Sequence, residues 1–400
     1  MFFKIVLAMI LGTIAGTITG LVPGIHINLV SAIVLEYSSG IISLAPPVVL
    51  CVFIVAMGIT HTFMDIIPSI FLGVPDPATA LTVLPGHRML LEGKGFEAVK
   101  LATIGSLICL LICSIMIFIA IPILSLVYSF IKHYVGLILV AITVAMIAKS
   151  REKIVSFTVF MLSGALGLVV LTSKNLRQPL FPMLSGMFGM SSIIVSLLGK
   201  LTPKQQSLSR GVIVSKMELV KAVLAGTVSG TFTAIMPGLG SAHAAAIASQ
   251  LSGKIKTYAF MIMIGGVNTA NFVFSLATLY AIGKARNGAV VVVKRLIGEF
   301  GFWQLLILVG TALVTAGLAT VLTLVIGRAC SKLFVMFNYR FLCAVVVVLI
   351  IMFVIVFSGI YGIIVFLVST AVGLLPILTG IGRRTAMGCL LLPIIVFFLL

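Results

Sequence analysis

His61 and Asp65 stand four residues apart, the spacing that sets two side chains on one face of a helix. An imidazole beside a carboxylate forms a proton relay when both face a watery interior, and a structural hydrogen bond when they do not. Eight residues further on, the chain reads GVPDPAT from Gly73 to Thr79, with Pro75 and Pro77 on either side of Asp76. Proline removes a backbone donor and clashes with the preceding turn, so a helix must break here and restart near Ala78. A restarting helix offers free N–H groups and a positive dipole end, which suits an anion and makes Thr79 a candidate contact. Asp76 either caps that helix or lies at a loop tip. Inside hydrocarbon it would cost about 2.5–3.5 kcal/mol, so an embedded Asp76 implies a role or watery surroundings.

A second group lies in YAIGKARNGAVV, Tyr280–Val291, where Lys284, Arg286 and Asn287 interrupt apolar runs. Two cations beside a helix break match a carboxylate or phosphate, Arg as a two-pronged donor and Lys as a point charge. The other reading is a basic connecting loop. Asn268 and Asn271 precede this stretch on an otherwise apolar run and serve as polar ligands or as helix–helix hydrogen bonds. No Ser-His-Asp order, phosphate loop, zinc motif or carboxylate pair is present, so an enzyme would have little to work with. The six cysteines form no CxxC pair, and the Cys109/Cys113 pair has no flanking His or carboxylate to make a metal shell. No cofactor is expected; an ion or proton gradient is the energy source that suits such residues.

These groups must be carried by membrane helices. Of 400 residues, 61% are hydrophobic and 8% charged, against about 25% charged in a soluble domain. Soluble enzymes and nucleic-acid-binding folds are thereby excluded. The net charge of +18 fits basic residues gathered in cytoplasmic loops, and the same charges can attract an anion. Uncharged runs long enough to cross a bilayer core of about 30 Å suggest about 10 to 12 membrane segments, some of half length. Lys4 and the apolar run behind it lack a small-x-small cleavage site and read as the first membrane helix. Hydrophilic segments fall at Gly86–Lys100, Lys149–Lys153 and Lys200–Lys221, and the last separates two halves, 1–199 and 222–400.

The halves repeat. GTIAGTITGLVPG at residues 12–24 matches GTVSGTFTAIMPG at 226–238, with seven of thirteen positions identical. A weaker match at an offset of 208 sets Gly58 against Gly266 and PDPATA against GKARNG. Each Gly-x3-Gly ridge lets its helix pack closely on a neighbour and ends in a Pro-Gly break. The break is either a tight turn or the entrance to a site at the repeat interface. On the second reading the candidates are Pro23, Gly24, His26 and Asn28 in one half, and Pro237, Gly238 and Gly240 in the other. The fold class is therefore an all-α polytopic membrane protein of two homologous halves with broken or re-entrant helices.

Three features resemble the TctA-type large permease of tripartite tricarboxylate transporters, especially its shorter archaeal members. They are the repeated Gly-ridge-to-Pro-Gly break, the PATA ending at Pro77–Ala80, and Gly86, Met89 and Gly93 in G-x-x-M-x3-G. The resemblance implies an ion-coupled permease of the cell membrane that takes up citrate or another carboxylate. It also implies a small membrane subunit and an extracytoplasmic binding protein as partners. The sequence departs from the family pattern at Gly86-His87-Arg88-Met89 and at GKARNG, where cations replace a neutral loop. A translocase of a lipid-linked phosphate, such as a polyprenyl phosphate, would use the same anion-binding breaks.

Overall fold

The computed structural model describes residues 1–22, 27–38, 46–74, 79–173, 176, 178–198, 214–236, 239–253, 255–285, 287–336 and 339–399. Among them every regular element is helical. In chain order the helices are α1 (Phe2–Leu21), α2 (Ile27–Glu36), α3 (Pro47–Met64), α4 (Ile66–Phe71), α5 (Val83–Leu91), α6 (Gly95–Ile131), α7 (Val135–Ala148) and α8 (Lys153–Thr172). Then follow α9 (Leu180–Leu184), α10 (Ser191–Leu198), α11 (Lys216–Ile235), α12 (Ser241–Leu251), α13 (Thr257–Ile282), α14 (Gly288–Ile297), α15 (Phe302–Met336), α16 (Tyr339–Leu378) and α17 (Gly388–Leu399). A π-helical turn, Ser185–Met190, joins α9 to α10, and short 3-10 turns cover Ala80–Thr82 and Arg383–Met387.

Eight of the described helices are long and apolar enough to cross a membrane, with shorter apolar helices at Val135–Ala148 and Leu180–Val195. The most enclosed are α3 with α4, and α13, which are 83% and 94% buried along their apolar windows, against 28% for α1 and α16. The first pair therefore forms the protein interior, while the outer helices keep apolar faces for lipid.

The glycine ridges explain how the interior closes. A Cβ on Gly12 would stand 2.8 Å from the Ala56 methyl, and one on Gly16 would stand 2.6 Å from Thr60 Cβ, so α1 lies directly on α3. On the other side, a Cβ on Gly226 would come 2.9 Å from the Met263 carbonyl, and one on Gly230 would come 2.7 Å from Ala270 Cβ, so α11 lies on α13. The residues met by the equivalent glycines, Met57 and Thr60 against Val267 and Ala270, are 210 positions apart in each case. The register between the inner helices is thus 210 rather than the 208 suggested by the weaker sequence match. Glycine is needed because any larger residue would drive the helix axes apart.

The inner helices cross antiparallel. Gly58 faces the Phe272 ring, the Thr62 and Thr269 hydroxyls lie 3.1 Å apart, and Asp65 meets Asn268. Numbers rise along one helix as they fall along the other. Outside this crossing α6 packs on α13, where Ser106 donates to the Gly265 carbonyl at 2.9 Å, and α15 packs on α3. Helices α8 and α17 pack together through Gly164, Gly167 and Gly388, and α16 packs on the π-helical turn through Gly186 and Gly373. Helix α16 is kinked at Gly359, whose φ of +67° is a backbone conformation that favours glycine.

Two hydrophilic segments differ from their appearance in the sequence. Within Gly86–Lys100, His87 and Glu97 are buried, His87 against the Ile70 carbonyl and Glu97 accepting from the Tyr258 hydroxyl at 2.9 Å. Arg88 and Glu92 of the same segment stay exposed. At the start of the second half, Lys216–Lys221 already belongs to α11, capped by Ser215, whose side chain accepts from the Glu218 N–H at 3.3 Å.

Candidate functional site

Asp65 ends α3 and is 2% exposed. Its Oδ2 accepts from Asn268 Nδ2 at 2.7 Å, a length in the range of a charge-assisted bond. One turn on, the Ser69 hydroxyl donates to the Asp65 carbonyl at 2.9 Å and lies 2.6 Å from the Thr79 hydroxyl. Thr79 is therefore held against α4, one turn past the end of α3, just as the chain enters the 3-10 turn Ala80–Thr82. The helix restarts at Ala80 and continues as α5 from Val83, two residues later than Ala78.

His61 is equally buried, and its Nδ1 lies 3.1 Å from the Thr19 hydroxyl on α1. The second half has the matching contact: Asn271 Nδ2 donates to the Thr233 hydroxyl on α11 at 2.9 Å. Thr19 and Thr233 are equivalent ridge positions, and His61 and Asn271 share the 210 register. The candidate relay residue and a candidate ligand thus occupy corresponding points of the two helix pairs. Thr62 and Thr269 complete a polar seam across the crossing.

Two clusters flank this seam, one toward each end of α3. In the first, a Cβ on Gly288 would sit 2.6 Å from the Asn28 side chain, so α2 reaches the start of α14. Asn287 caps α14 by accepting from the Ala289 N–H at 3.0 Å, and Cys51 near the start of α3 lies against the Val293 carbonyl. Lys284 stands beside this cap and donates to the Tyr128 hydroxyl at 3.2 Å, with its ammonium 5.0 Å from that ring's centre. Lys284, Lys294, Arg295 and Gly298 line an open groove of about 560 Å³ whose lining carries three cations and no acid.

The second cluster lies by Asp65. The 3-10 turn Ala80–Thr82 packs on α12 and on the π-helical turn, and α12 packs on the turn Arg383–Met387. Gly240 precedes α12, where its N–H donates to His243 Nδ1 at 3.1 Å. Because that nitrogen accepts, Nε2 carries the proton and donates to the Leu390 carbonyl at 3.2 Å, so His243 is a neutral clamp between α12 and α17. Burial pushes Arg383 down to about 10, which leaves its guanidinium charged at neutral pH.

Of the residues singled out by the sequence, Asp65 and Asn268 meet directly, Thr79 is linked to Asp65 through Ser69, and His61 bonds Thr19 one turn earlier; at the other end Asn28 lies against Gly288, next to Asn287, and Lys284 bonds Tyr128. Lys284 lies just past the end of α13, whose stretch from Asn268 to Ile282 rises about 21 Å at 1.5 Å per residue. Pro23, Gly24, His26, Pro75, Asp76, Pro77, Pro237, Gly238 and Arg286 lie outside the described residues. The sequence reading missed Thr19, Thr233, Ser69 and the Thr62–Thr269 pair. The first two stood among the identical ridge positions and were legible there; the others reveal themselves only through packing. Among the described residues no group of three His, Cys, Asp or Glu side chains could hold a metal.

A multi-pass helical membrane protein whose interior is two glycine-packed helix pairs joined by a buried polar seam has the construction of a membrane carrier. Over residues 6–388 the chain matches the tripartite tricarboxylate transporter TctA family, and it belongs to that family. It is 30% identical over 364 residues to an uncharacterized protein of Methanocaldococcus jannaschii, covering 87% of this chain and 88% of that protein. No solved structure matches it. The family is a transporter family of the cell membrane whose members work with partner subunits.

Proposed function

We propose that this chain is the large membrane subunit of a secondary active permease for an organic anion, a di- or tricarboxylate such as citrate. It performs no covalent chemistry and runs on an ion or proton gradient, with a small membrane subunit and an extracytoplasmic binding protein as partners. Membership in the TctA family over nearly the whole chain is the observation that carries this reading. Its mechanism is alternating access of two inverted halves about the antiparallel crossing of α3 and α13. The matched contacts His61–Thr19 and Asn271–Thr233 support that arrangement.

In this scheme Lys284, with Arg286, Lys294 and Arg295, gathers the anion at one face. Asn28 and Asn287 line the way inward, and the flanks of the other break, Thr79 and Gly240, receive the anion on the opposite side. Asp65, fixed by Asn268 and next to His61, carries the coupling charge. The test is uptake of citrate and succinate into proteoliposomes holding the full chain together with its small membrane subunit, with the binding protein supplied outside. Lys284→Ala and Arg286→Ala are expected to raise the half-saturating concentration by about tenfold or more while expression and folding persist. Unchanged uptake in the double variant would remove these cations from the pathway.

A further inference from the structure

The described part of the second cluster holds no lysine, yet Arg383 enters it from the far end of the chain. Its Nη1 donates to the Phe188 carbonyl at 3.2 Å and to Ser192 Oγ at 2.6 Å, and its Nη2 donates to Ser191 Oγ. The two serines spend their own protons on carbonyls one turn back, Met187 and Phe188, each at 2.6 Å. They can therefore only accept from Arg383. Its cradle is the junction of the π-helical turn with α10, and the Phe188 ring lies beneath the guanidinium with its centre 6.0 Å away. Every partner is neutral, and no carboxylate pairs with Arg383 among the described residues.

A guanidinium has five N–H donors, and three are used. The remaining two, Nε–H and one Nη2–H, have no partner among the described residues. They form one edge of the fork when Ser191 takes the outer Nη2 proton, and that edge matches the two oxygens of a carboxylate or phosphate. The position also suits a ligand. Ile193, next to the two serines, lies 3.7 Å from where a Cβ on Gly73 would stand, immediately before the first-half break. The turn that bears Arg383 packs on α12, immediately after the Pro-Gly break of the second half. A half-buried cation without a counter-charge, held by a π-turn between the flanks of both breaks, is costly to keep unless an anion joins it.

We propose that Arg383 grips one oxyanion group of the transported anion in the second cluster, as the inner counterpart of the Lys284 groove. This rests on the permease reading given above. The shared ligand chemistry is a planar or tetrahedral oxyanion, and the test separates its sources.

Affinity of the purified full chain is measured calorimetrically for citrate, succinate, inorganic phosphate and a short-chain prenyl phosphate, beside proteoliposome uptake. At least one of these anions should bind the natural protein. Arg383→Gln should weaken it by about 30-fold or more, the consequence of truncating one member of a buried charge pair. Arg383→Lys keeps the charge but loses the fork and should weaken binding by about tenfold, which preserves the test if the glutamine variant fails to fold. A citrate or succinate response selects the carboxylate, and a response to phosphate or prenyl phosphate alone selects the phosphoryl group; either supports the oxyanion grip. Natural affinity in Arg383→Lys and in a folded Arg383→Gln, with uptake intact, would overturn the role of Arg383 and leave the permease standing. Absence of both binding and uptake in the natural protein would overturn both.

Discussion

Replacing Asn268 by Ala tests whether Asp65 is charged in its buried position. The perturbation removes one donor, Asn268 Nδ2, which lies 2.7 Å from Asp65 Oδ2 across the crossing of α3 and α13. Hydrogen bonds between neutral groups of membrane helices average about 0.6 kcal/mol, whereas a bond to an ionised carboxylate contributes about 1.5–3 kcal/mol. A double-mutant cycle isolates the pair: Asn268→Ala, Asp65→Ala and both together, each measured by reversible unfolding of the purified protein in detergent. The cycle therefore separates the two cases, and the proposed coupling role requires the charged one. The coupling energy should exceed about 1.4 kcal/mol, a tenfold effect on the unfolding equilibrium. In proteoliposomes Asp65→Asn should also remove the dependence of uptake on the proton gradient. A coupling energy at or below about 0.6 kcal/mol, with normal pH dependence of uptake in Asp65→Asn, would refute a charged, coupling Asp65.

Two further perturbations follow from the packing. Gly230→Val places branched carbons where the Val267 carbonyl and Ala270 Cβ already stand 2.7 Å from a Cβ, and should cost about 1–3 kcal/mol or more. Gly240→Ala meets no atom within 4 Å and should stay within about 0.5 kcal/mol of the natural protein; equal unfolding temperatures for both variants would contradict the ridge geometry. Thr19→Val and Thr233→Val each remove one hydroxyl contact of the paired helices, to His61 and Asn271 respectively. Each should lower stability by about 0.5–1.5 kcal/mol, and a loss confined to one of the two would argue against corresponding roles for the two contacts.

Much of this molecule was legible before its structure. Composition dictated membrane helices, because 8% charged residues cannot cover a water-exposed surface. The Gly-x3-Gly ridges announced that α1 and α11 each pack tightly on a neighbour, because small residues at one-turn spacing leave a groove that another helix fills; the structure supplies α3 and α13 as those neighbours. His61, Asp65 and Asn268 could be singled out because a polar side chain in an apolar run needs a partner or a purpose.

The partners themselves came only from tertiary structure. Asp65 and Asn268 are 203 residues apart and meet because their two helices cross antiparallel, and hydrophobic periodicity specifies which helices are buried without saying how they cross. The register of 210 was likewise invisible, because it lies in which residues the two glycine ridges touch and not in a likeness between the inner helices themselves. Arg383 shows the limit most clearly. In the chain it reads as one of two basic residues after a long apolar run, and only the packing of its turn against Ser191 and Ser192 brings a cation to the break flanks. Sequence determines which groups are too polar to lie in lipid; the fold decides which of them share an interior.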